Sequence, residues 1–353
     1  MDSVKKIYNW YLKNKRELPF RNTQNPYYIW VSEIIMQQTR IEQGLPYYKK
    51  FIQTFPTVES LANATLEEVL LVWKGLGYYR RAIHIHEAAN EIMYTYHGVF
   101  PKTYQEWLNL KGIGKYTAAA IASFAFGEKT PVVDGNVIRL FSRWMMLPYE
   151  KTSPILYNTI FTYLKVKMKT MEPGILNQSM MEYGALVCTP ATPACINCII
   201  RKDCKALKNN TVLQYPITNP KKSSPVLHYN YVFIKQGNYC LMCKRSADDI
   251  WKGLYEFPLI PADILLNVDT LQQTDLFIQW FGNVELHFLY QTKPVKHVLS
   301  HRIIYAQLFV FESRLKKKSS TFEWIPIDEI DKMPIPRLIE KLYNKISNSN
   351  VKK

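Results

Sequence analysis

Residues 110–117 read Leu-Lys-Gly-Ile-Gly-Lys-Tyr-Thr, and residues 132–137 follow with Val-Val-Asp-Gly-Asn-Val. Gly112 and Gly114 permit a tight turn and a close approach of another backbone, because neither carries a Cβ atom. The small, apolar residues 118–125 predict a helix directly after them. The stretch therefore predicts a hairpin that leads into a helix, although the same letters are also typical of an ordinary connection between two helices.

The residues around this hairpin favour an anionic ligand. Lys111 and Lys115 add positive charge, and the free amides where the next helix begins can bind a phosphate. Asp134 follows the second glycine by 20 residues, and Asn136 lies two residues further on. An aspartate in front of a helix can simply cap it, or it can face a substrate. Its position in the sequence allows both.

Four cysteines occur within 17 residues in the pattern C-x6-C-x2-C-x5-C, at Cys188, Cys195, Cys198 and Cys204. Four thiolates so close together can enclose one metal centre, either zinc or a [4Fe–4S] cluster. Zinc ribbons usually pair two C-x2-C knuckles, whereas only one pair here has that spacing. The remaining two, Cys240 and Cys243, fall in a segment rich in strand-forming residues and are expected in a core.

Glu33 is the only acidic residue between positions 18 and 41, and its neighbours are apolar. A carboxyl group among apolar side chains is hard to ionise, which suits a general acid. A continuous helix would place Gln37 and Arg40 on the same face as Glu33. The alternative, a surface ion pair, is disfavoured because few charges lie nearby.

Three segments of different character follow one another along the chain. Residues 1–205 carry apolar residues at helical spacings, and Thr65 with Glu68 predicts a capping box. Residues 206–225 are rich in proline, lysine and serine, and predict a linker. Residues 226–350 are rich in aromatic and β-branched residues, and predict an α+β domain with a central sheet.

The third segment has recognisable elements of its own. Residues 229–235 and 303–310 predict strands, because they combine aromatic with β-branched side chains. Residues 236–238, Gln-Gly-Asn, predict a hairpin turn. Residues 335–346 predict a closing helix.

The composition points to a polyanionic partner. The chain of 353 residues has 45 basic and 29 acidic residues and a formal charge of +16, of which residues 1–225 carry +12. Such a surplus attracts nucleic acid first and anionic membranes second. No stretch is long and apolar enough for a transmembrane helix, and no signal peptide is recognisable, so we expect a cytoplasmic protein without a membrane partner, associated with the nucleoid if the source is bacterial.

Taken together, these stretches resemble the MutY-type adenine DNA glycosylases of the endonuclease III, or helix–hairpin–helix, superfamily. Seven stretches carry the resemblance: residues 30–40, 73–82, 110–118, 132–137, 177–188, 254–258 and 297–301. The resemblance implies a mainly α N-terminal part and a C-terminal α+β, Nudix-like domain at residues 226–350. Within residues 1–205 it implies a six-helix barrel module at about 25–130, and an iron–sulfur module that combines residues 1–24 with 131–205. The four clustered cysteines would hold [4Fe–4S].

The resemblance also implies an activity, which is base excision repair of adenine paired with 8-oxoguanine or guanine in double-stranded DNA. Glu33 would protonate the adenine, and Asp134 would stabilise the cationic sugar, electrostatically or covalently. Tyr116 and Asn136 would orient the site. Bifunctional relatives carry a lysine where this chain has Tyr116, and a phenol cannot form a Schiff base. A monofunctional enzyme that uses water is therefore expected. We also expect the protein to be a monomer.

The resemblance further implies a set of DNA contacts, among which Tyr78 would wedge between bases rather than lie in a core. The implied contacts are Arg21, Gln37, Gln38, Thr39, Leu76, Tyr78, Lys111, Gly112, Gly114, Lys115, Ser300 and His301. Ser300 and His301 would read 8-oxoguanine. The chain departs from the family at Leu299, where many members have phenylalanine, and residues 226–353 lack the Nudix box, so pyrophosphatase activity is not expected.

Three other functions are compatible with part of the pattern. A bifunctional lyase on oxidised pyrimidines requires a lysine at position 116. A non-catalytic DNA-binding module explains the charge and the hairpin but leaves Glu33 and Asp134 without a role. An electron-transfer protein uses the cysteines but leaves the hairpin without a role.

Overall fold

The computed structural model describes residues 2–219, 223–246, 249–314 and 320–349, with side chains up to Ile346 in the last helix. The chain forms two compact units, Met1–Asn63 with His84–Lys221, and Ala64–Ile83 with Lys222–Lys353. The predicted domain boundaries differ in one segment, since residues 64–83 cluster with the C-terminal unit. Part of the predicted linker is also ordered in the first unit, where Arg143 donates to the carbonyl of Tyr215 at 3.0 Å.

Helices dominate up to residue 208. They are α1 Ser3–Asn14, α2 Pro26–Met36, α3 Ile41–Thr54, α4 Val58–Asn63, α5 Leu66–Trp73, α6 Arg80–Tyr94, α7 Tyr104–Asn109, α8 Lys115–Phe126, α9 Gly135–Met145, α10 Pro154–Lys167, α11 Pro173–Leu186 and α12 Lys205–Lys208. The predicted capping box is confirmed at α5, where Thr65 and Glu68 bond reciprocally. The helix predicted after the glycine hairpin is α8, which begins three residues earlier than expected.

Small residues let three helices of the first unit pack closely. Ala118, Ala119 and Ala120 of α8 are fully buried, and α8 packs against both α2 and α11. On α11, a Cβ atom at Gly184 would lie 2.7 Å from the carbonyl oxygen of Asn136. The glycine therefore permits the beginning of α9 to lie directly against α11, and this contact positions the residues around Asp134.

The second unit is built on a mixed sheet. Its strands are β1 Val226–Gln236, β2 Tyr239–Lys244, β3 Tyr255–Glu256, β4 Leu259–Ala262, β5 Leu286–Gln291, β6 Val295–Val298, β7 Ile303–Ser313 and β8 Glu323–Pro326. The main order is β3-β2-β1-β7-β5, and β1 and β7 run parallel at the centre. Helices α13 Val268–Gln272, α14 Asp275–Phe281 and α15 Arg337–Ser349 accompany the sheet.

The central strands form where the sequence predicts them. β1 and β7 contain the two predicted strand segments, and Gln236 pairs with Tyr239 across the predicted hairpin turn. Cys240 is fully buried on β2, as expected for a core residue. The fold class is the predicted one, a mainly helical part followed by an α+β domain. Over the residues that the structure describes, no helix combines the length and apolarity needed to cross a bilayer.

Candidate active site

The buried acid on α2 is the first element of the site. Asn25 caps α2 and Pro26 opens it, and the helix carries Glu33 into the interior, where the residue is only 9% exposed. The Tyr116 hydroxyl donates a hydrogen bond to Glu33 Oε2 at 2.6 Å. Burial, reinforced by the charge of Asp134, raises the pKa of Glu33 to about 7, against the lowering effects of the Tyr116 hydrogen bond and of Arg21.

Tyr116 lies in the first turn of α8 and faces this carboxyl. Burial, together with the charges of Glu33 and Asp134, raises the pKa of Tyr116 well above its ordinary value. The phenol therefore remains protonated and keeps the hydrogen that it donates to Glu33. The neighbouring Lys115 is exposed, and its ammonium lies 5.9 Å from the ring centroid of Tyr157. Of these two consecutive residues, Tyr116 lines the cavity that contains Glu33, whereas Lys115 does not.

Asp134 caps α9 and also lines an open cleft that contains Tyr116, while its role towards a substrate stays a prediction. Its Oδ1 accepts hydrogen bonds from the backbone amides of Asn136 at 2.9 Å and Val137 at 2.7 Å. Its Oδ2 accepts from the Asn136 side chain at 2.7 Å. Burial raises the pKa of Asp134, and these hydrogen bonds and Arg139 oppose that rise.

One open cleft of the first unit, about 710 Å³ in volume, collects predicted residues from three segments of the chain. It is lined by Gln37, Gln38, Thr39, Gly114, Lys115, Tyr116, Asp134 and Asn136, among others. A smaller cavity of about 90 Å³ shares Tyr116 with the cleft and is lined by Glu33, Arg21, Gln178 and apolar side chains. Glu33, the predicted general acid, thus lies in a narrow, mostly apolar recess beside a wide cleft lined mainly by polar residues.

The expected alignment of Gln37 and Arg40 with Glu33 on one helix face is wrong. Helix α2 ends at Met36, and Gln38 adopts a left-handed backbone conformation with φ of +55°. The chain turns away at this point, so helical spacing no longer applies. Gln37 instead donates to the Thr117 hydroxyl at 3.0 Å, which connects this turn to the beginning of α8.

The predicted hairpin is exposed and has one obligatory glycine. Gly112 has φ of +75°, and a Cβ atom there would lie 2.5 Å from the Cβ atom of His84. Gly114 has nothing within 4 Å of its Cβ position. Ile113 is buried between them, whereas Lys111 and both glycines are exposed. The hairpin is thus anchored at one residue and leaves open space next to Gly114.

Two residues that position the site were not assigned a role from the sequence. Glu182 is 1% exposed and binds the guanidinium groups of Arg16 and Arg21, each at 2.6 Å. Burial raises the pKa of Glu182, but its hydrogen bonds with these arginines outweigh that effect and lower it to about 2. Arg21, expected to contact DNA, is thereby held in the wall of the recess beside Glu33. In the sequence, the only indication of this role is that Glu182 is the single acidic residue within residues 177–188.

Arg139 is the second such residue, and through Asn136 it links Asp134 to the loop that contains Cys188. Its guanidinium donates to the carbonyl of Cys188 at 2.7 Å and to Asn136 Oδ1 at 2.9 Å. Asn136 in turn donates to Asp134. The sequence does indicate the contact with Asn136, because Arg139 follows it by three positions and therefore lies on the same helix face.

The four cysteines of the predicted metal site line a single pocket, together with apolar residues such as Leu140 and Trp144. Within the described ranges, no group of three or more His, Cys, Asp or Glu side chains is arranged to hold one metal ion. The donor chemistry fits an iron–sulfur group, since such clusters are held by four Cys thiolates. Burial raises the pKa of Cys188, and the Arg143 guanidinium, 3.6 Å from its sulfur, opposes that rise.

A second cavity, of about 320 Å³, lies in the C-terminal unit and is named here the reading cavity. It is lined by residues 76–81, Ile250, Trp251 and residues 298–301, so it includes the predicted Leu76, Tyr78, Ser300 and His301. Tyr78 is 45% exposed and has φ of +49°, and it follows Gly75 and Gly77, which also have positive φ. It is therefore not an ordinary core tyrosine.

Comparison with known proteins places this geometry in context. Residues 31–160 match the family model of the HhH-GPD superfamily base excision DNA repair proteins, and residues 230–345 match that of the NUDIX domain. An adenine DNA glycosylase of Buchnera aphidicola (from Acyrthosiphon pisum) is 31% identical over 95% of both chains. An adenine DNA glycosylase of Rattus norvegicus is 38% identical over 96% of this chain and 76% of its own length.

The fold of the first part is also found among solved structures. A thermostable thymine-DNA glycosylase superposes with a TM-score of 0.54 at 26% identity, covering 58% of this chain and 95% of that protein.

Proposed function

This chain belongs to the adenine DNA glycosylase family, enzymes that hydrolyse N-glycosidic bonds, and we propose that it removes adenine paired with 8-oxoguanine or guanine in double-stranded DNA. The observation that supports the chemistry best is the buried Glu33 with its hydrogen bond from Tyr116. Its pKa of about 7 leaves a large fraction protonated at neutral pH. It can therefore protonate the adenine that leaves.

The proposed reaction divides its work between the two acids. The adenine must leave the base stack to enter the recess, where Glu33 donates a proton to its ring nitrogen. As the bond to the sugar breaks, positive charge develops on the sugar, and Asp134 stabilises it from the adjoining cleft. Water then completes the hydrolysis. No lysine faces the recess at position 116, which supports a monofunctional enzyme rather than a lyase.

We propose that Cys188, Cys195, Cys198 and Cys204 hold a [4Fe–4S] cluster. When bound, such a cluster supplies four iron–thiolate bonds that cross-link residues 188–204. Arg139 contacts the carbonyl of Cys188 and the side chain of Asn136, so an ordered loop supports the placement of Asp134. Iron and sulfide analysis of the purified protein tests this, with about four of each expected per chain and none expected after Cys198→Ala.

We assign the DNA contacts to two surfaces. The cleft of the first unit, with the exposed hairpin, is proposed to bind the strand that contains the adenine, while Arg21 lies in the wall of the recess. The reading cavity is proposed to receive the opposite purine, with Tyr78 as the wedge and with Ser300 and His301 as polar groups. Amides at the beginning of α8 and the two hairpin lysines would bind phosphate.

The deciding experiment uses a labelled duplex with one A·8-oxoguanine pair, incubated with enzyme and analysed with and without hot alkali. A monofunctional glycosylase gives strand breaks only after alkali, and Glu33→Gln abolishes them while duplex retention remains. Strand breaks without alkali would point instead to a lyase. Retention of the duplex without any adenine release, by wild type and Glu33→Gln alike, would establish a non-catalytic DNA-binding module.

A further inference from the structure

The reading cavity contains an aromatic residue for which the sequence patterns suggested no role. Trp251 lines it beside Leu299, Ser300 and His301 and opposite the segment that carries Tyr78. Leu299 occupies the position where a phenylalanine is common in the family, and its side chain offers no ring. The cavity wall next to Ser300 is nevertheless aromatic, because Trp251 comes from a different loop.

Trp251 is held firmly in place by its neighbours. Its side chain is 5% exposed, and the rings of Tyr229 and His297 lie with centroids 6.4 Å and 6.2 Å away. The Arg245 guanidinium lies 5.8 Å from the indole centroid. A ring that is already immobilised loses little conformational entropy when a ligand binds against it.

An ion-pair network contacts this tryptophan through Asp249 and Arg245. Arg245 binds both Asp249 and Glu256. Glu256 is 6% exposed and also accepts a hydrogen bond from the Tyr231 hydroxyl at 3.1 Å. Asp249 accepts from the backbone amide of Trp251 at 2.7 Å. The network therefore connects the sheet directly to the cavity wall.

We propose that Trp251 is a specificity-determining residue, which provides the aromatic wall against which the purine opposite the excised adenine packs. This inference rests on the proposed function. 8-Oxoguanine differs from guanine by a carbonyl oxygen at C8 and a hydrogen on N7, and Ser300 and His301 offer polar atoms next to the indole. An apolar wall excludes water from these groups, so a hydrogen bond gained or lost there discriminates more strongly between the two purines.

The test measures single-turnover adenine release from duplexes that contain either A·8-oxoguanine or A·G, using the full-length enzyme. For Trp251→Leu, we expect the ratio of the two rates to fall at least about five-fold, which is the lower range for loss of a base–aromatic contact. Trp251→Phe should keep most of the preference. The matched double variant Trp251→Leu/Leu299→Phe should regain part of it, since it restores a ring to the same wall.

The rate ratio separates recognition from stability, because both substrates are tested on the same folded population. If the ratio of the two release rates in Trp251→Leu equalled the wild-type ratio, even with both rates reduced, the proposed role of Trp251 would be overturned. A wild-type enzyme that releases adenine with no preference between the duplexes would contradict the proposed 8-oxoguanine substrate itself. The two failures are therefore distinguishable.

Discussion

Two tyrosines line the two candidate sites, and they are placed in opposite ways. Tyr116 lies in the first turn of a regular helix, is half-buried and donates a hydrogen bond from its hydroxyl to Glu33 at 2.6 Å. Tyr78 lies in a loop, has φ of +49° and is 45% exposed. Acid catalysis requires a group with a fixed partner and a perturbed pKa, whereas insertion between two bases requires an accessible ring.

The exposed ring of Tyr78 is nevertheless held in place by Arg81. The guanidinium of Arg81 lies 5.4 Å from the ring centroid of Tyr78 and 5.3 Å from that of Trp73. Arg81 also donates to the carbonyl of Gly77 at 3.2 Å. Cation–π contacts of a largely buried arginine thus keep a solvent-exposed tyrosine in one orientation. Both sites are preorganised, one by hydrogen bonds and the other by packing.

The largest effect is expected from Asp134→Asn, which separates the two roles of this residue. Asparagine caps a helix as well as aspartate does, so the melting temperature should change little. Loss of the negative charge should lower the single-turnover rate by about 10³-fold or more, because electrostatic stabilisation of the sugar cation is removed. Rapid-quench kinetics and thermal melting measure both quantities. If Asp134→Asn released adenine at the wild-type rate, Asp134 would have no catalytic role and would only cap α9.

The next effect concerns the pH dependence set by Tyr116. The wild-type rate should fall as pH rises through about 7, since Glu33 must be protonated to act as an acid. The Tyr116 hydrogen bond lowers the pKa of Glu33, so Tyr116→Phe should move this fall to higher pH and reduce the rate about ten-fold through lost orientation. A pH–rate profile of both proteins is the measurement. A fall at the same pH in both would assign the titration to another group.

A smaller and more selective effect is expected in the reading cavity. Ser300→Ala/His301→Ala should reduce the preference for A·8-oxoguanine over A·G about five- to ten-fold, because polar partners of the oxidised purine are removed. The rate on A·G should stay within about two-fold of the wild type. Competition between the two duplexes in one reaction measures the preference directly. Equal losses on both would indicate general weakening of DNA binding instead of reading.

The smallest effect is expected from the two hairpin glycines, which form a matched pair. Gly112→Ala forces a Cβ atom against His84 at a positive φ, and should destabilise the fold by about 1–3 kcal/mol. Gly114→Ala meets open space and should leave the melting temperature unchanged, but should weaken duplex binding if the DNA backbone approaches there. Melting curves and binding titrations distinguish the two. Equal stability losses would contradict this division.

Much of the catalytic site could be predicted because its residues lie in short, local patterns. Glu33 is recognisable as a single acid among apolar neighbours, and Asp134 by its place before α9. The prediction that Gln37 lies on the same helix face as Glu33 failed, because the sequence does not reveal that Gln38 has a left-handed backbone conformation just after the end of α2. Local periodicity predicts an element well, but it does not predict where tertiary contacts terminate that element.

Local sequence patterns were enough to predict the hairpin, the capping box, the central strands and the candidate acids and cysteines, because each depends on residues close together in the chain. Three contacts became apparent only in the folded chain: Glu182 holds Arg21, Arg139 joins Cys188 to Asn136, and Trp251 shares a cavity with Ser300. These contacts connect residues between 3 and 161 positions apart. The partner of a buried charge or ring is chosen by packing, which spacing along the chain does not encode.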